Sequence, residues 1–483
     1  MLPPKRGYSA SARGPRTPRA RRSRESAFID WVVFILGVAG AYSVAVVGSL
    51  PVCEIMVVFL LPVLMFVYRD RAFRREYRWF YILLAAWLIG TLFADAYRNM
   101  PTANRLKGTS RVIFFGLDFA VLTMLIDRRR RRMAIFAASI AVVMFVSAFR
   151  FHFDAFSTMW KFGFSSFLTI VSLLVASNFY ERGRHWISVS IVLALAATNL
   201  IFAFRSQFGV LLAVAALCAF RAFAERRTRF SASMIVALLM TLVTIFYAAN
   251  KAIVIAAQHG LFDASTQQKF ESQAGGKFGT LAGGRPETLV AIRAILDSPI
   301  IGHGSYATSQ YYSLMEEDLA YQNGYVQGDY TAEDPANDTI PAHSHLSEAW
   351  VDSGISGGIF WIYAFLLAVF AITKLMTHRF SLLPLYCYFL VNLCWDIIYS
   401  PMGSDNRIWG AFFLMLACDV VWRARLMGAS PRRLVPSYAK ARVGLASGRH
   451  GSISDIRSRY RLPIPGCRPQ HRGRTKRMLK SDG

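Results

Sequence analysis

Long apolar runs recur along most of the chain and constrain its fold more than any other feature. About twelve of them approach the ~17–25 residues that an α-helix needs to cross a bilayer. They lie at approximately 29–50, 52–68, 79–97, 111–126, 133–149, 160–178, 186–204, 206–222, 232–255, 354–375, 381–400 and 407–423. Because unpaired backbone groups are costly in lipid, runs of this length favour helices. The sequence therefore predicts an all-α polytopic membrane protein with about twelve transmembrane helices.

Composition excludes an ordinary soluble domain. Hydrophobic residues make up 54% of the 483 residues, and charged residues only 17%, against roughly 25% in a soluble domain. None of the six cysteines lies in the long polar segment after residue 255, and none has CxxC spacing. This pattern predicts neither a disulfide framework nor a zinc site.

The net charge of +26 is explained by membrane topology rather than by nucleic-acid binding. If the N-terminus is cytoplasmic, the predicted inside segments carry 42 of the 55 lysines and arginines. Basic residues concentrate on the cytoplasmic side of membrane proteins. Both termini are therefore predicted to be cytoplasmic, with the basic tails attracted to anionic membrane lipid. Aromatic residues are sparse among the basic ones, so no nucleic-acid partner is expected.

The spans and the charges together divide the chain into five segments. These are a disordered basic tail (1–28), helices one to nine (29–255), an extracytoplasmic loop (256–345), helices ten to twelve (346–423) and a second disordered basic tail (424–483). A loop of that length usually carries function. Helical spacing of apolar residues over 285–298, with a proline in the first turn, predicts a short helix in an ordered cap near the membrane surface.

Four basic or titratable residues lie on the predicted outer side, where positive charge is otherwise sparse. Arg205 lies between two spans, Arg285 begins the loop helix, His343 ends the loop, and Arg407 precedes the last span. Arginine binds phosphate through a bidentate fork and keeps its charge. Histidine titrates near neutral pH and can deprotonate a hydroxyl. The set predicts a pyrophosphate site beside a general base.

Structural interpretations of the same residues remain open from the sequence. Arg205 is equally compatible with snorkelling to lipid head groups. Arg285 also fits a helix-start residue paired with Glu287 or Asp297, and His343 fits a hydrogen-bonded loop residue. The acidic runs in the loop show no metal-ligand spacing, so no metal site is predicted.

The loop resembles a segment of the O-antigen ligase and polymerase family, bacterial enzymes that move glycans off undecaprenyl pyrophosphate. Arg285 is followed by a helical pattern and then by Pro299-Ile300-Ile301-Gly302-His303-Gly304. This order is similar to the family's arginine, helix and Pro-Ile-x-Gly-x-Gly pattern. The motifs of the resemblance span 205–358.

Two further motifs carry the resemblance. His343 is followed eleven residues later by Gly354 and then by Gly357, which resembles a His-Asn pair ahead of Gly-x-x-Gly. Ser344 stands where asparagine is common. Arg205 is similar to the arginine of a Ser-Arg-Gly segment, although a phenylalanine precedes it here where serine is frequent.

The resemblance implies roles for individual residues. His343 matches the histidine proposed to deprotonate the acceptor hydroxyl, and Arg205 and Arg285 match arginines proposed to bind the donor pyrophosphate. The implied fold is similar to the C-type glycosyltransferases, and the implied reaction uses no metal and no other cofactor. Arg407 is assigned to the pyrophosphate site by its position alone.

The expected function is ligation of a polysaccharide from undecaprenyl pyrophosphate to the lipid A core, at the periplasmic face of the bacterial inner membrane. Polymerisation of O-antigen or exopolysaccharide repeat units, with a second lipid-linked glycan as acceptor, is an alternative. A transporter or flippase of lipid-linked sugar is a second alternative. Transporters favour inverted repeats and charges at mid-bilayer, whereas the notable charges here lie near span ends.

Overall fold

A computed structural model describes residues 18–46, 48–150, 159–202, 204–224, 285–322 and 339–429, with single positions between 244 and 259. The helices of these ranges are α1 Pro18–Ala39, α2 Val52–Ala72, α3 Arg78–Tyr97, α4 Thr102–Ile126, α5 Arg130–Arg150, α6 Ser165–Glu181, α7 His185–Ile201, α8 Arg205–Ala224, α9 Pro286–Asp297, α10 Gln310–Gln322, α11 His345–Ser353, α12 Ile355–Thr377, α13 Leu383–Tyr399 and α14 Arg407–Ala429. The predicted helical class is confirmed.

Six of these helices are long and apolar enough to cross a membrane: Val52–Ala72, Arg75–Tyr97, Thr102–Ile126, Trp160–Glu181, Arg205–Phe223 and Ile355–Thr377. Shorter apolar helices are Ser26–Ala39, His185–Ile201 and Leu383–Tyr399. The described residues therefore agree with a multi-pass helical membrane protein, but the number twelve remains a prediction. The predicted span 232–255 lies almost wholly outside the described residues, as do 1–17 and 430–483 of the tails.

The first predicted span, 29–50, is wrong as a single helix. Helix α1 begins at Pro18 and ends at Ala39, and Ser43–Val46 then pairs antiparallel with Gly48–Pro51 as strands β1 and β2. Gly48 has a φ of +87° at the turn, where glycine is favoured. Hydropathy alone does not separate a short apolar strand from a helix, and the valines of β1 favour the extended form.

Basic clusters at one end of the bundle form buried ion pairs. Arg128 pairs with Glu76 and with Asp419, and Arg132 pairs with Asp30 at 3.0 Å. These contacts join the middle of α14 and the turn before α3 to the loop between α4 and α5, and the middle of α1 to the start of α5. Consecutive helices α3 and α4 therefore run in opposite directions, as successive spans of a bundle do.

A cap of short helices, α9 to α11, covers the opposite end. Its small apolar core consists of Val290, Ala294, Ala307, Tyr312, Ile340 and Val351. Helix α9 matches the helix predicted over 285–298. Arg111 of α4 ties the cap to the bundle through ion pairs with Glu348 and Asp352 of α11. Burial raises the pKa of Asp352 to about 6, although Arg111 opposes this.

The motif glycines join α9 and its following turn to the start of α12. Gly302, Gly304 and Gly354 have φ values of +86°, +90° and +61°. The amide of Gly304 donates a hydrogen bond to the carbonyl of Asp352 at 3.1 Å. The amide of Ile355 donates a hydrogen bond to the carbonyl of Ile300 at 3.2 Å. A Cβ on Gly357 would lie 2.2 Å from the Ala349 carbonyl oxygen. These glycines allow two backbone segments to touch.

Replacing Gly354 with alanine is expected to destabilise this junction strongly. Its Cβ would lie 2.0 Å from the carbonyl oxygen of Ile300, at a positive φ, and backbone strain of this kind alone costs about 1–3 kcal/mol. Thermal unfolding of the purified protein should show a lower Tm. Gly428→Ala is the control, since its Cβ meets nothing within 4 Å. Equal Tm values for both variants would contradict the packing described here.

Candidate functional site

Two cavities lie at the capped end of the bundle. The first, the polar cavity, has a volume of about 740 Å³. Side chains with hydroxyl or charged groups line much of it, among them Ser49, Lys107, Ser110, Tyr306, Ser313, Glu316 and Ser404. Strand β2 contributes part of the wall, so the hairpin that replaces the end of the predicted first span belongs to the site. The lining offers many hydrogen-bond donors and acceptors.

The second, the aromatic cavity, has a volume of about 580 Å³. Its walls come from the bundle helices α5, α6, α8, α13 and α14. Aromatic residues of the lining are Phe162, Phe204, Tyr388, Phe389, Trp395, Tyr399, Trp409 and Phe413. Lys161 and Arg285 bring positive charge to it. A chamber among bundle helices with both aromatic rings and cations in its wall suits an amphiphile with an anionic head.

His343 lies in the wall that the two cavities share. The described residues lining both are Glu287, His343 and Pro401, and the imidazole is exposed to these spaces. Ser344 follows as the N-cap of α11, with its Oγ accepting from the Ser347 amide at 3.0 Å. Serine and asparagine are both good N-caps, so a serine at this motif position caps the helix as well as an asparagine would.

His345 is buried and is held in place by a hydrogen bond and a ring contact. It is 3% exposed, its Nδ1 lies 2.6 Å from the Ser400 carbonyl oxygen, and its ring packs edge-on against Trp361. Burial lowers the pKa of His345 to about 4. A buried imidazole with a lowered pKa is a weak base at neutral pH, which leaves the exposed His343 as the better candidate base.

Arg285 occupies the N-cap position of α9 and lines the aromatic cavity. Its Nη1 donates to the carbonyl of Tyr399, and its guanidinium carbon lies 5.0 Å from the Tyr399 ring centroid and 6.0 Å from that of Trp395. Asp297, a possible partner from the sequence, pairs with Arg293 at 3.1 Å instead. Ring faces and one carbonyl therefore hold Arg285 at the cavity wall.

Arg205 begins α8 at the border of the same cavity. Its neighbours Phe204, Ser206 and Gln207 line the cavity, whereas Arg205 itself is half-buried and is not part of that lining. The structure thus places the residues on either side of Arg205, and not Arg205 itself, in the lining of the aromatic cavity. The role of Arg205 in pyrophosphate binding stays a prediction.

Arg407 lies in the other cavity and already holds a carboxylate. It lines the polar cavity, is 6% exposed, and donates from Nε and Nη2 to the two carboxylate oxygens of Glu54 at 2.5 and 2.8 Å. The structure therefore does not bring Arg407 together with Arg285 in one cavity. Because Glu54 lies 353 positions earlier in the chain, no local pattern indicates this pair.

Two further residues of the site were not singled out from the sequence as functional. Lys161 lies in the π-helical turn Trp160–Phe164 ahead of α6, 4.9 Å above the ring of Phe162. Such turns are frequent at functional sites. Glu287, considered only as a partner of Arg285, lines both cavities. Lys161 could have been singled out from the sequence, because it lies in the first turn of a predicted span, on the predicted outer side.

The fold and the site define a class: a multi-pass helical membrane protein whose cap covers two adjoining cavities with a histidine between them. Residues 191–362 match the family model described as O-antigen ligase. The matched residues include Arg205, Arg285 and His343 but not Arg407. This match supports a ligase- or polymerase-type role in glycan biosynthesis. No curated protein matches the chain.

Proposed function

We propose that the protein transfers a polysaccharide from undecaprenyl pyrophosphate to a hydroxyl of the lipid A core, at the periplasmic face of the bacterial inner membrane. The observation that carries the proposal is the position of His343 in the wall between a polar and an aromatic cavity. A transferase must bring two chemically different substrates to one reacting atom pair, and two cavities meeting at a base suit that task.

The aromatic cavity suits the donor. Its ring-lined walls among the bundle helices match a polyprenyl chain, and Arg285 and Lys161 match the pyrophosphate. Guanidinium and ammonium groups bind phosphate oxygens through charge-assisted hydrogen bonds. These cations supply the charge that a metal ion supplies in other transferases, so the proposed reaction needs no metal.

The polar cavity suits the acceptor glycan. Sugars present many hydroxyl groups, and the serine hydroxyls, carboxylates and Tyr306 of this cavity are matching partners. Tyr306 also presents an aromatic ring, whose centroid lies 5.4 Å from the guanidinium carbon of Arg111. The acceptor would thus approach His343 from the side opposite to the lipid-linked donor.

The proposed chemistry is one nucleophilic displacement. His343 takes the proton of the acceptor hydroxyl, and the oxygen forms a bond to the anomeric carbon of the donor sugar. The bond from that carbon to the pyrophosphate oxygen breaks, and the electron pair leaves with the pyrophosphate. Arg285 stabilises the charge that develops on this leaving group. The proton stays on His343 until it is released to solvent.

A ligase and a polymerase share this donor and this chemistry, so the accumulated products of a deletion strain separate them. Loss of a ligase leaves free lipid A core together with lipid-linked polymer. Loss of a polymerase leaves products that carry a single repeat unit. The proposal predicts the first pattern, restored by the wild-type chain; the second pattern would favour the polymerase alternative.

A further inference from the structure

Glu287 lies where the two proposed substrates meet. It is the second residue of α9, directly after Pro286, and it shares the wall between the two cavities with His343 and Pro401. Of these three residues, Glu287 alone carries a carboxylate. Its position is therefore set by the same helix start that places Arg285 at the aromatic cavity.

Within the part of the chain that the structure describes, one carboxylate oxygen of Glu287 is buried and has no hydrogen-bond partner. Oε2 has almost no exposed surface, and none of the described residues donates a hydrogen bond to it. Buried polar atoms are normally paired, and an exception calls for an explanation. In contrast, Asp297 at the other end of α9 is paired with Arg293 and accepts from Tyr312 at 2.9 Å. Rotation of the carboxylate about its terminal bond brings this oxygen to the cavities that Glu287 lines, where a ligand hydroxyl can reach it.

The chemistry of that ligand follows from the charge of Glu287. A carboxylate repels the pyrophosphate of the donor, and it accepts hydrogen bonds from uncharged hydroxyl groups. An acidic residue near a helix N-terminus is also stabilised by the helix dipole. The dipole explains why a glutamate is tolerated at this position, but it does not supply a hydrogen-bond donor to the buried Oε2.

We propose that Glu287 binds a hydroxyl of the acceptor glycan and thereby orients the acceptor beside His343. This inference rests on the proposed function and deepens it, since it names a specific acceptor contact. Glu287 accepts a hydrogen bond from a hydroxyl in the polar cavity, while the neighbouring hydroxyl of the same sugar gives its proton to His343. Glu287 itself takes no proton in the reaction.

The test measures separate KM values for donor and acceptor with the purified full chain. Glu287→Ala is expected to raise the KM for the acceptor about ten-fold or more, because a hydrogen bond to a charged group is lost. Glu287→Gln should give a smaller increase. The KM for the donor, the Tm and the pH profile of kcat should stay as in the wild type.

Asp318→Asn is the matched control. Asp318 lies on α10 of the same cap, is exposed, and lines neither cavity, so this variant should keep both KM values. An unchanged acceptor KM in Glu287→Ala would overturn the inference. A lower Tm with parallel changes for both substrates would also overturn it, in favour of a helix-start role. Failure of the wild type to transfer any glycan would instead overturn the proposed function.

Discussion

Replacing His343 with alanine is expected to reduce kcat for glycosyl transfer by about 10²–10⁴-fold, the usual contribution of a general base. The imidazole lies between the two cavities and is exposed to them, so its removal leaves no packing defect. The variant should therefore keep the Tm, the membrane insertion and the donor affinity of the wild type. Product formation from a defined lipid-linked donor measures the effect.

His378→Ala controls for the loss of a histidine as such. His378 is half-buried, follows α12 as its C-cap, and lines neither cavity. This variant should transfer glycan at the wild-type rate. If His343→Ala forms product normally, the histidine is a loop residue and the base lies elsewhere.

Replacing Arg285 with lysine should lower kcat by about 10²–10³-fold, the loss typical of removing one donor to a developing negative charge. Lysine keeps the charge but loses the planar fork. It also loses the contact between the flat guanidinium group and the rings of Tyr399 and Trp395, which holds Arg285 at the wall of the aromatic cavity. Steady-state kinetics with varied donor would show the loss in kcat rather than in acceptor KM.

Arg293→Lys supplies the comparison on the same helix. Arg293 is exposed and pairs with Asp297 four residues later, and such surface pairs contribute little. Its activity should match the wild type. Full activity of Arg285→Lys would mean that a point charge suffices, and would remove the argument for bidentate pyrophosphate binding.

Local patterns predicted the parts of the site that lie close together in sequence. The helical spacing after Arg285 and the proline in its first turn predicted α9, and the glycines after it predicted tight turns that the structure confirms with positive φ values. Charge distribution predicted that Arg285 and His343 lie at the same end of the bundle, and both line the aromatic cavity.

Features that depend on tertiary contacts could not be predicted in this way. The pairing of Arg407 with Glu54 joins residues that are far apart in the chain. Neither local sequence segment contains a pattern that predicts it. The hairpin after α1 was hidden because apolar strands and helices share hydropathy. The two cavities are separated by Glu287, His343 and Pro401, which come together only in the folded protein.

Glycan transfer by the purified protein measures the proposed reaction itself. The reaction contains a synthetic polyprenyl-pyrophosphate glycan and, in separate samples, lipid A core or a second lipid-linked glycan, each with and without a metal chelator. We expect a glycosylated lipid A core, release of polyprenyl pyrophosphate, and equal rates with and without chelator. Folded protein that transfers glycan to neither acceptor, or that loses activity with chelator and regains it with metal, would contradict the account.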